Sequence, residues 1–146
     1  MTKVSDIITA KGNKIYSVEP ETIVYDAISK MVEFGIGSLL VIDGETVSGI
    51  FTERDYLSKV ALMNKNSRDT KVGEVMSHRI IYIKPDNDVE EVMAMMTEAH
   101  CRHMPVMDGG KLCGLVSIGD CAKQLSQDRK AQLNYLTEYI ADNYPG

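Results

Sequence analysis

The chain contains one pattern twice, 65 residues apart. Gly49–Asp55 reads Gly-Ile-Phe-Thr-Glu-Arg-Asp and returns at Gly114–Asp120 as Gly-Leu-Val-Ser-Ile-Gly-Asp. The offset holds without a gap back to Ile15 and Ile80, and ten of the 41 positions from 15 to 55 are identical in the second copy. A repeat at a fixed period is typical of a duplicated supersecondary unit. The architecture is therefore predicted from the unit rather than from the whole chain.

Hydrophobic periodicity predicts the same elements in each copy. Alternating apolar residues predict a short first strand, an apolar stripe at helical spacing predicts a helix, and two apolar runs around a Gly turn predict a hairpin. The expected elements are strands at 15–18 and 80–83, helices at 24–32 and 89–96, hairpins 39–42 with 46–51 and 104–107 with 111–116, and closing helices at 54–63 and 120–125. Each unit is β-α-β-β-α, so the expected class is α/β (α+β).

The domain organisation follows from the repeat. We expect a first repeat at 4–63, a polar linker at 64–71, a second repeat at 72–126 and a helical tail at 127–146. In the tail, Leu133, Leu136 and Ile140 lie at helical spacing, which predicts an amphipathic helix. The tail has no counterpart in the first repeat and is a candidate surface for a partner.

Composition limits the function classes. A net charge of -5 on 146 residues argues against general nucleic-acid or anionic-membrane binding. No apolar run approaches the roughly 18 residues of a membrane span, and the N-terminus lacks the apolar run of a signal peptide. Three cysteines without framework spacing suit a reducing compartment. The sequence predicts a cytoplasmic protein that binds neither nucleic acid nor membrane.

The repeated hydroxyl and aspartate allow two interpretations. Thr52 with Asp55, and Ser117 with Asp120, fit a capping box in which a hydroxyl and an acid satisfy backbone N–H groups at a helix start. The same geometry suits a ligand, since a hydroxyl at a helix N-terminus can bind a phosphate and an aspartate can accept both hydroxyls of a ribose. A cap alone requires neither the preceding glycine nor the same register against the strands in both copies.

With these motifs, the chain resembles a pair of cystathionine-β-synthase-type (CBS) domains, a Bateman module of the stand-alone two-repeat type. The resemblance covers about residues 4 to 125, and the segment 102–106 (Arg-His-Met-Pro-Val) resembles the family's usual start of its second strand. It implies two repeats related by pseudo-two-fold symmetry, with two clefts that hold adenosyl ligands. Family ligands include AMP, ADP, ATP, NAD(H) and S-adenosylmethionine. The resemblance also implies a homodimer.

Carried over by position, the resemblance assigns residues to each cleft. In both, the aspartate contacts the ribose and the hydroxyl contacts the phosphate. The first cleft is assigned Lys14, Ile15, Tyr16, Arg102, His103, Met104, Ser117 and Asp120. The second cleft is assigned Ile36, Gly37, Ser38, Thr52, Arg54, Asp55, Arg79, Ile80 and Ile81. Because each set contains a candidate phosphate cation, we expect both clefts to bind a ligand. The cations differ between the two sets, so we expect the two affinities to differ.

The expected function is an adenine-nucleotide-binding regulatory or energy-sensing module that changes conformation or partner binding, with an unknown regulated protein as partner. Alternatives are a protein-interaction scaffold with vestigial clefts and, as plant relatives suggest, a regulator of a redox protein such as thioredoxin. No catalytic motif appears, so neither an enzyme nor a catalytic cofactor is expected. His100, Cys101 and His103 resemble a metal cluster, but no fourth ligand follows at a recognised spacing, so no metal site is expected.

Overall fold

The structure is a computed structural model that describes residues 2–12 and 14–143, with the backbone alone for 135–143. It divides into two compact units. We call residues 14–81 the first-repeat unit, and residues 1–13 with 82–146 the second-repeat unit. No helix in the described ranges is long and apolar enough to cross a membrane.

Helices and strands alternate as the repeat predicts, which makes the fold α+β. The helices are α1 (Val4–Lys11), α2 (Val24–Phe34), α3 (Glu53–Tyr56), α4 (Val72–Val75), α5 (Val89–Ala99) and α6 (Ile118–Asn143), with a π-helical turn at Leu57–Ala61. The strands are β1 (Ser17–Val18), β2 (Ser38–Asp43), β3 (Thr46–Thr52), β4 (His103–Asp108) and β5 (Lys111–Ser117). Both predicted hairpins are present, and each carries a register shift at the same place, after Val41 and after Val106.

The first-repeat unit has a three-stranded sheet in the order β1-β2-β3, with β1 parallel to β2 and β2 antiparallel to β3. Its core lies between this sheet and the helices, where apolar residues of both lose contact with water. Leu39, Val41 and Phe51 from the sheet pack with Val24 and Met31 of α2, and all five are buried. This core holds the end of β3, where the first motif lies.

The second-repeat unit has a two-stranded sheet, β4 with β5. The predicted strand at 80–83 is wrong, because only Ile83 makes a bridge to β4, and the strand predicted at 15–18 is reduced to β1. A physical reason for the first difference lies at Pro105. In the first-repeat unit, Leu40 donates its N–H to the carbonyl of Tyr16, whereas Pro105 stands at the Leu40 position and has no N–H to donate.

The two central helices confirm the helical periodicity. α2 buries Val24, Ala27 and Met31, and α5 buries Val89, Val92 and Met96 at the corresponding positions. Val32 is an exception, since the stripe predicts it at the core face but its side chain is 77% exposed. The closing helix of the second repeat and the start of the tail form one helix, α6. Leu136, Ile140 and residues 144–146 lie outside the described side chains or residues.

The short helix that begins each sequence repeat packs in the unit of the other repeat. α1 belongs to the second-repeat unit, where the N–H of Val4 donates to the carbonyl of Asn87 (3.0 Å). α4 belongs to the first-repeat unit, where the N–H of Gly73 donates to the carbonyl of Pro20 (2.9 Å). The compact units therefore differ from the boundaries of the sequence repeats, and each motif receives neighbours from a segment distant in sequence.

Candidate functional site

The second motif forms the junction between β5 and α6. Ser117 is the last residue of β5, and Asp120 lies in the first turn of α6. The N–H of Asp120 donates to Oγ of Ser117 (3.0 Å), and the N–H of Ser117 donates to Oδ2 of Asp120 (2.9 Å). This is the reciprocal capping box that the sequence predicts. It holds the hydroxyl and the carboxylate side by side at the end of the strand.

Lys11, the last residue of α1, occupies this junction. Its ammonium donates to Oδ2 of Asp120 (2.7 Å) and to the carbonyl of Leu115 (3.0 Å). The side chains of Lys11 and Asp120 are 40% and 25% exposed. The carboxylate therefore has a counter-ion that solvent reaches, so the pair can open without exposing a buried charge.

Two further basic residues stand near the second motif. His103 begins β4 and lies opposite Ser117 in the β4–β5 ladder, and the carbonyl of Arg102 accepts the N–H of Ile118 (2.8 Å). Burial lowers the pKa of His103 below its ordinary value, and the positive charges of Lys11 and Arg102 lower it further, against the opposing charge of Asp120. His103 is therefore neutral at neutral pH, and the fixed positive charge comes from Lys11 and Arg102.

Asp120 is ionised. Burial alone acts to raise its pKa, but the hydrogen bonds from Lys11 and from the Ser117 backbone outweigh it, and the pKa lies below the ordinary value. The neighbouring Cys121 is fully buried, and burial raises its pKa to about 11, with the charge of Asp120 adding to the effect. The thiol of Cys121 is thus a protonated core group rather than a nucleophile.

The first motif has the same capping box but a different environment. Thr52 and Asp55 exchange the reciprocal bonds at 3.1 Å and 3.0 Å. The other carboxylate oxygen of Asp55 accepts a hydrogen bond from the hydroxyl of Ser77 (2.9 Å) and forms an ion pair with the ammonium of Lys59 (3.0 Å). The Asp55 side chain is only 7% exposed. Both carboxylate oxygens of Asp55 therefore have protein partners in a buried position.

The start of β2 has Gly37 at the position where the second repeat has Arg102. A Cβ on Gly37 would lie 3.6 Å from the Glu53 carboxylate, so an acidic side chain covers this position. Ile36 and Gly37 line an apolar groove of about 500 Å³ between α2 and α3. Arg54 and Arg79 are both exposed. The surroundings of Asp55 are less suited to a phosphate than those of Asp120.

The remaining predicted site residues are distributed over both units. Met104 is fully buried and Ser38 is 5% exposed, so these two are core residues. Tyr16 packs on Phe34 with ring centroids 4.5 Å apart, and the ammonium of Lys14 lies 5.1 Å from the Tyr16 ring. Ile15, Ile80 and Ile81 are partly buried and lie outside the strands. The grouping of Lys14, Ile15 and Tyr16 with Ser117 and Asp120 stays a prediction.

His100 and Cys101 lie between α5 and β4 and are held by hydrogen bonds to backbone carbonyls. His100 ends α5 in the left-handed conformation (φ 54), at the position of Gly35 in the first repeat, and its side chain is exposed. The thiol of Cys101 donates to the carbonyl of His103 (2.9 Å). In the described part of the chain, no three His, Cys, Asp or Glu side chains are grouped to hold a metal ion.

Sequence reasoning missed Lys11 and Ser77, the residues that complete the two junctions. A signal for Lys11 exists. The segments that lead into the repeats align at an offset of 68, which places Lys11 at the position of Arg79, a residue that the sequence did select. Ser77 has no comparable signal, because the same offset aligns it with Thr9.

Comparison with known proteins identifies the family of the chain. The family model described as "CBS domain" matches residues 4–62 and 72–127. The mitochondrial CBS domain-containing protein CBSX3 of Arabidopsis thaliana is 33% identical over 98% of this chain and 74% of its own length. A solved structure of a Burkholderia ambifaria protein with CBS domains is 48% identical, with a TM-score of 0.84 over 87% of this chain and 96% of its own.

A third comparison extends the agreement. The CBS-domain containing protein of Agrobacterium tumefaciens is 32% identical, with a TM-score of 0.80 over 84% of this chain and 98% of its own. The family model covers most of the chain, and the relatives share its two-repeat architecture. This chain therefore belongs to the CBS-domain family, with two CBS repeats.

Proposed function

We propose that this protein is a regulatory module that binds an adenine nucleotide or a related adenosyl ligand at the Ser117 and Asp120 junction, and that binding changes its conformation or its affinity for a partner. CBS-domain proteins are commonly regulatory and bind adenosine-containing ligands. The single observation that carries the proposal is the Asp120 carboxylate. It is ionised, partly exposed and held beside the Ser117 hydroxyl and the Lys11 ammonium.

Each group at the junction has a role in this proposal. Asp120 would accept the ribose hydroxyls, and the Ser117 hydroxyl, whose oxygen already accepts the Asp120 N–H, would donate its proton to a phosphate oxygen. Gly119 leaves the helix start open, since a Cβ there would meet only Oγ of Ser117 at 3.6 Å. Lys11 and Arg102 would balance the phosphate charge.

The proposal favours one motif over the other. Asp55 is buried and bonded through both oxygens, and the Glu53 carboxylate stands near the adjoining Gly37. A ligand at Asp55 would have to replace Ser77 and Lys59 in a position closed to water. The expectation of two binding clefts stays a prediction, and the Asp120 junction is our first candidate.

A thermal-shift panel tests the proposal. We expect at least one of AMP, ADP, ATP, NAD(H) and S-adenosylmethionine to stabilise the protein, by about 2.7 kcal/mol at 100 times its Kd, or roughly 5–10 °C in Tm. Asp120→Asn should abolish the shift because an amide no longer accepts two ribose hydroxyls. Asp108→Asn, an exposed carboxylate at the β4–β5 turn, serves as the matched control. A panel without any shift would contradict the proposal and favour the scaffold alternative.

A homodimer is part of the proposal. CBS proteins often form oligomers, and the helical segments of the first-repeat unit expose apolar side chains, with Val32 at 77%, Leu57 at 57% and Leu62 at 82%. A second copy would remove these side chains from water. We expect light scattering to give twice the chain mass of 16.2 kDa, and Leu57→Glu to lower it. A wild-type monomer at micromolar concentration would contradict this part of the proposal.

The proposal also includes the location of the protein, its regulatory role and its partner. A cytoplasmic or other reducing location agrees with the three free cysteines at 101, 113 and 121. The role is regulatory rather than catalytic, as the relatives are CBS-domain regulatory or signal-transduction proteins. A pull-down with and without the ligand identified by the panel tests the partner, and partners captured equally in both would favour the scaffold alternative.

A further inference from the structure

The two strand-to-helix junctions present the same pair of acceptors. One is the backbone carbonyl of Ile50 or, 65 residues later, of Leu115, and the other is the carboxylate of Asp55 or Asp120. In each unit, one residue at or just after the end of the short helix that begins the other repeat, α1 or α4, contacts both acceptors. The two residues differ in kind, and this difference separates the junctions chemically.

In the first-repeat unit the residue is Ser77, and the contact is built into the backbone. Ser77 and Ile50 exchange two backbone hydrogen bonds, at 2.9 Å and 3.0 Å, while the Ser77 hydroxyl donates to Asp55 (2.9 Å). The paired backbone holds Ser77 beside Asp55, and a rotation of its hydroxyl would leave a carboxylate that is only 7% exposed short of a hydrogen bond. Asp55 therefore keeps this partner in the folded protein.

In the second-repeat unit the residue is Lys11, and only its side chain makes the contact. One ammonium serves both Leu115 and Asp120, at 3.0 Å and 2.7 Å. The side chain is 40% exposed and flexible, so it can leave both acceptors without any change in backbone pairing. The aspartate at this junction can therefore be released by a side-chain movement alone.

We propose that Lys11 is the specificity-determining residue of the Asp120 site: its ammonium holds the carboxylate in the free protein and transfers to the phosphate when a ribose takes its place. This inference rests on the proposed function. An unphosphorylated nucleoside must displace Lys11 and offers it no anion in return. A nucleotide supplies a phosphate, which pairs with the ammonium more strongly than water does. The exchange selects phosphorylated ligands.

Lys3 provides a matched control on the same helix. It lies at the N-terminal end of α1, its ammonium contacts Asp88 at 2.6 Å, and its side chain is 42% exposed. The pair has nearly the geometry and exposure of Lys11 with Asp120, but Lys3 belongs to no part of the proposed site. Loss of the Lys3 charge should therefore have the structural effect of a lost surface ion pair and no effect on ligand preference.

The test is calorimetric titration of the full chain with AMP and with adenosine. For Lys11→Met we expect AMP to bind about tenfold more weakly, the worth of one charge-assisted hydrogen bond, and adenosine to bind at least as tightly as to the wild type. Lys11→Arg should keep the preference for AMP, and Lys3→Met should match the wild type. A Lys11→Met variant that weakens both ligands by the same factor, or neither, would overturn the inference and leave the proposed function standing.

Two further outcomes separate the two proposals. A wild-type chain that binds neither AMP nor adenosine nor any other ligand of the panel overturns the proposed function and this inference with it.

A measurement without ligand complements the titration. Carboxyl NMR should show the pKa of Asp120 higher in Lys11→Met than in the wild type, because the ammonium that favours the ionised form is gone. An unchanged pKa would overturn the inference whatever the ligands do.

Discussion

Asp55→Ala lowers the free energy of unfolding by about 3 kcal/mol, whereas Asp120→Ala lowers it by about 1 kcal/mol. The two substitutions remove the same side chain from the same local motif. Asp55 loses its bonds to Thr52, Ser77 and Lys59 in a side chain that is 7% exposed, so the hydroxyl of Ser77 and the N–H of Thr52 are left without their acceptor. The Lys59 contribution is small, since that side chain is 42% exposed.

The loss is smaller at Asp120 for a physical reason. Lys11 is 40% exposed and returns to water when the carboxylate is removed, so the main loss is the half of the capping box made by the Ser117 N–H. Urea denaturation of both variants measures the difference. In thermal melts it corresponds to roughly 6–12 °C for Asp55→Ala and roughly 2–4 °C for Asp120→Ala.

In ligand binding we expect the larger loss for Asp120→Ala, the reverse of the order expected for stability. Asp120→Ala should lose binding although its fold is little affected, while Asp55→Ala, studied at a temperature where it remains folded, should keep it. Equal losses of stability would contradict the assignment of Asp55 to the fold. Loss of binding in Asp55→Ala alone would place the ligand at the first motif instead.

Gly49→Ala lowers the free energy of unfolding by about 3 kcal/mol, and Gly114→Ala by less than about 1 kcal/mol. Both glycines begin the repeated motif. A Cβ on Gly49 would lie 2.6 Å from the Ser77 carbonyl oxygen and 2.8 Å from Sδ of Met76. The carbonyl belongs to the Ile50–Ser77 bridge and cannot rotate away, so the backbone of this junction must move.

At Gly114 the neighbour can give way. A Cβ there would lie 2.6 Å from Cδ1 of Ile8, the far end of a flexible side chain that another rotamer removes. The alanine also restricts the unfolded chain, which offsets part of the remaining strain. Chemical denaturation of the two variants checks the ranking, and a Gly114→Ala loss as large as that of Gly49→Ala would contradict it.

The repeated glycine shows what a local motif leaves unexplained. A helix cap by itself does not require a glycine ahead of the hydroxyl, but in the structure a Cβ at this position would meet other atoms. A leading segment crosses the last strand of each unit at this point, with Ser77 and Met76 over Gly49 and Ile8 over Gly114. The need for a glycine comes from a segment distant in sequence, so the spacing of the motif reveals its position but not its cause.

The strands illustrate the same division. The hairpins are predicted with their bounds nearly correct, because two adjacent apolar runs and a Gly turn are local features. The first strand of each repeat is predicted too long in one copy and wrongly in the other. Its existence depends on pairing with a later strand, and Pro105 removes the N–H that Leu40 supplies in the first copy.

The sequence alone determined the duplication, the kinds of elements, the capping boxes and the family, since all of these are encoded in local periodicity and in a constant offset. It could not tell which of Asp55 and Asp120 is the more exposed, because the two stand in equivalent motifs. The tertiary structure decided that difference through partners from outside the motif. Ser77, 22 residues away and paired through its backbone with Ile50, bonds Asp55 through its hydroxyl. Lys11, 109 residues away, contacts Asp120 with an exposed ammonium.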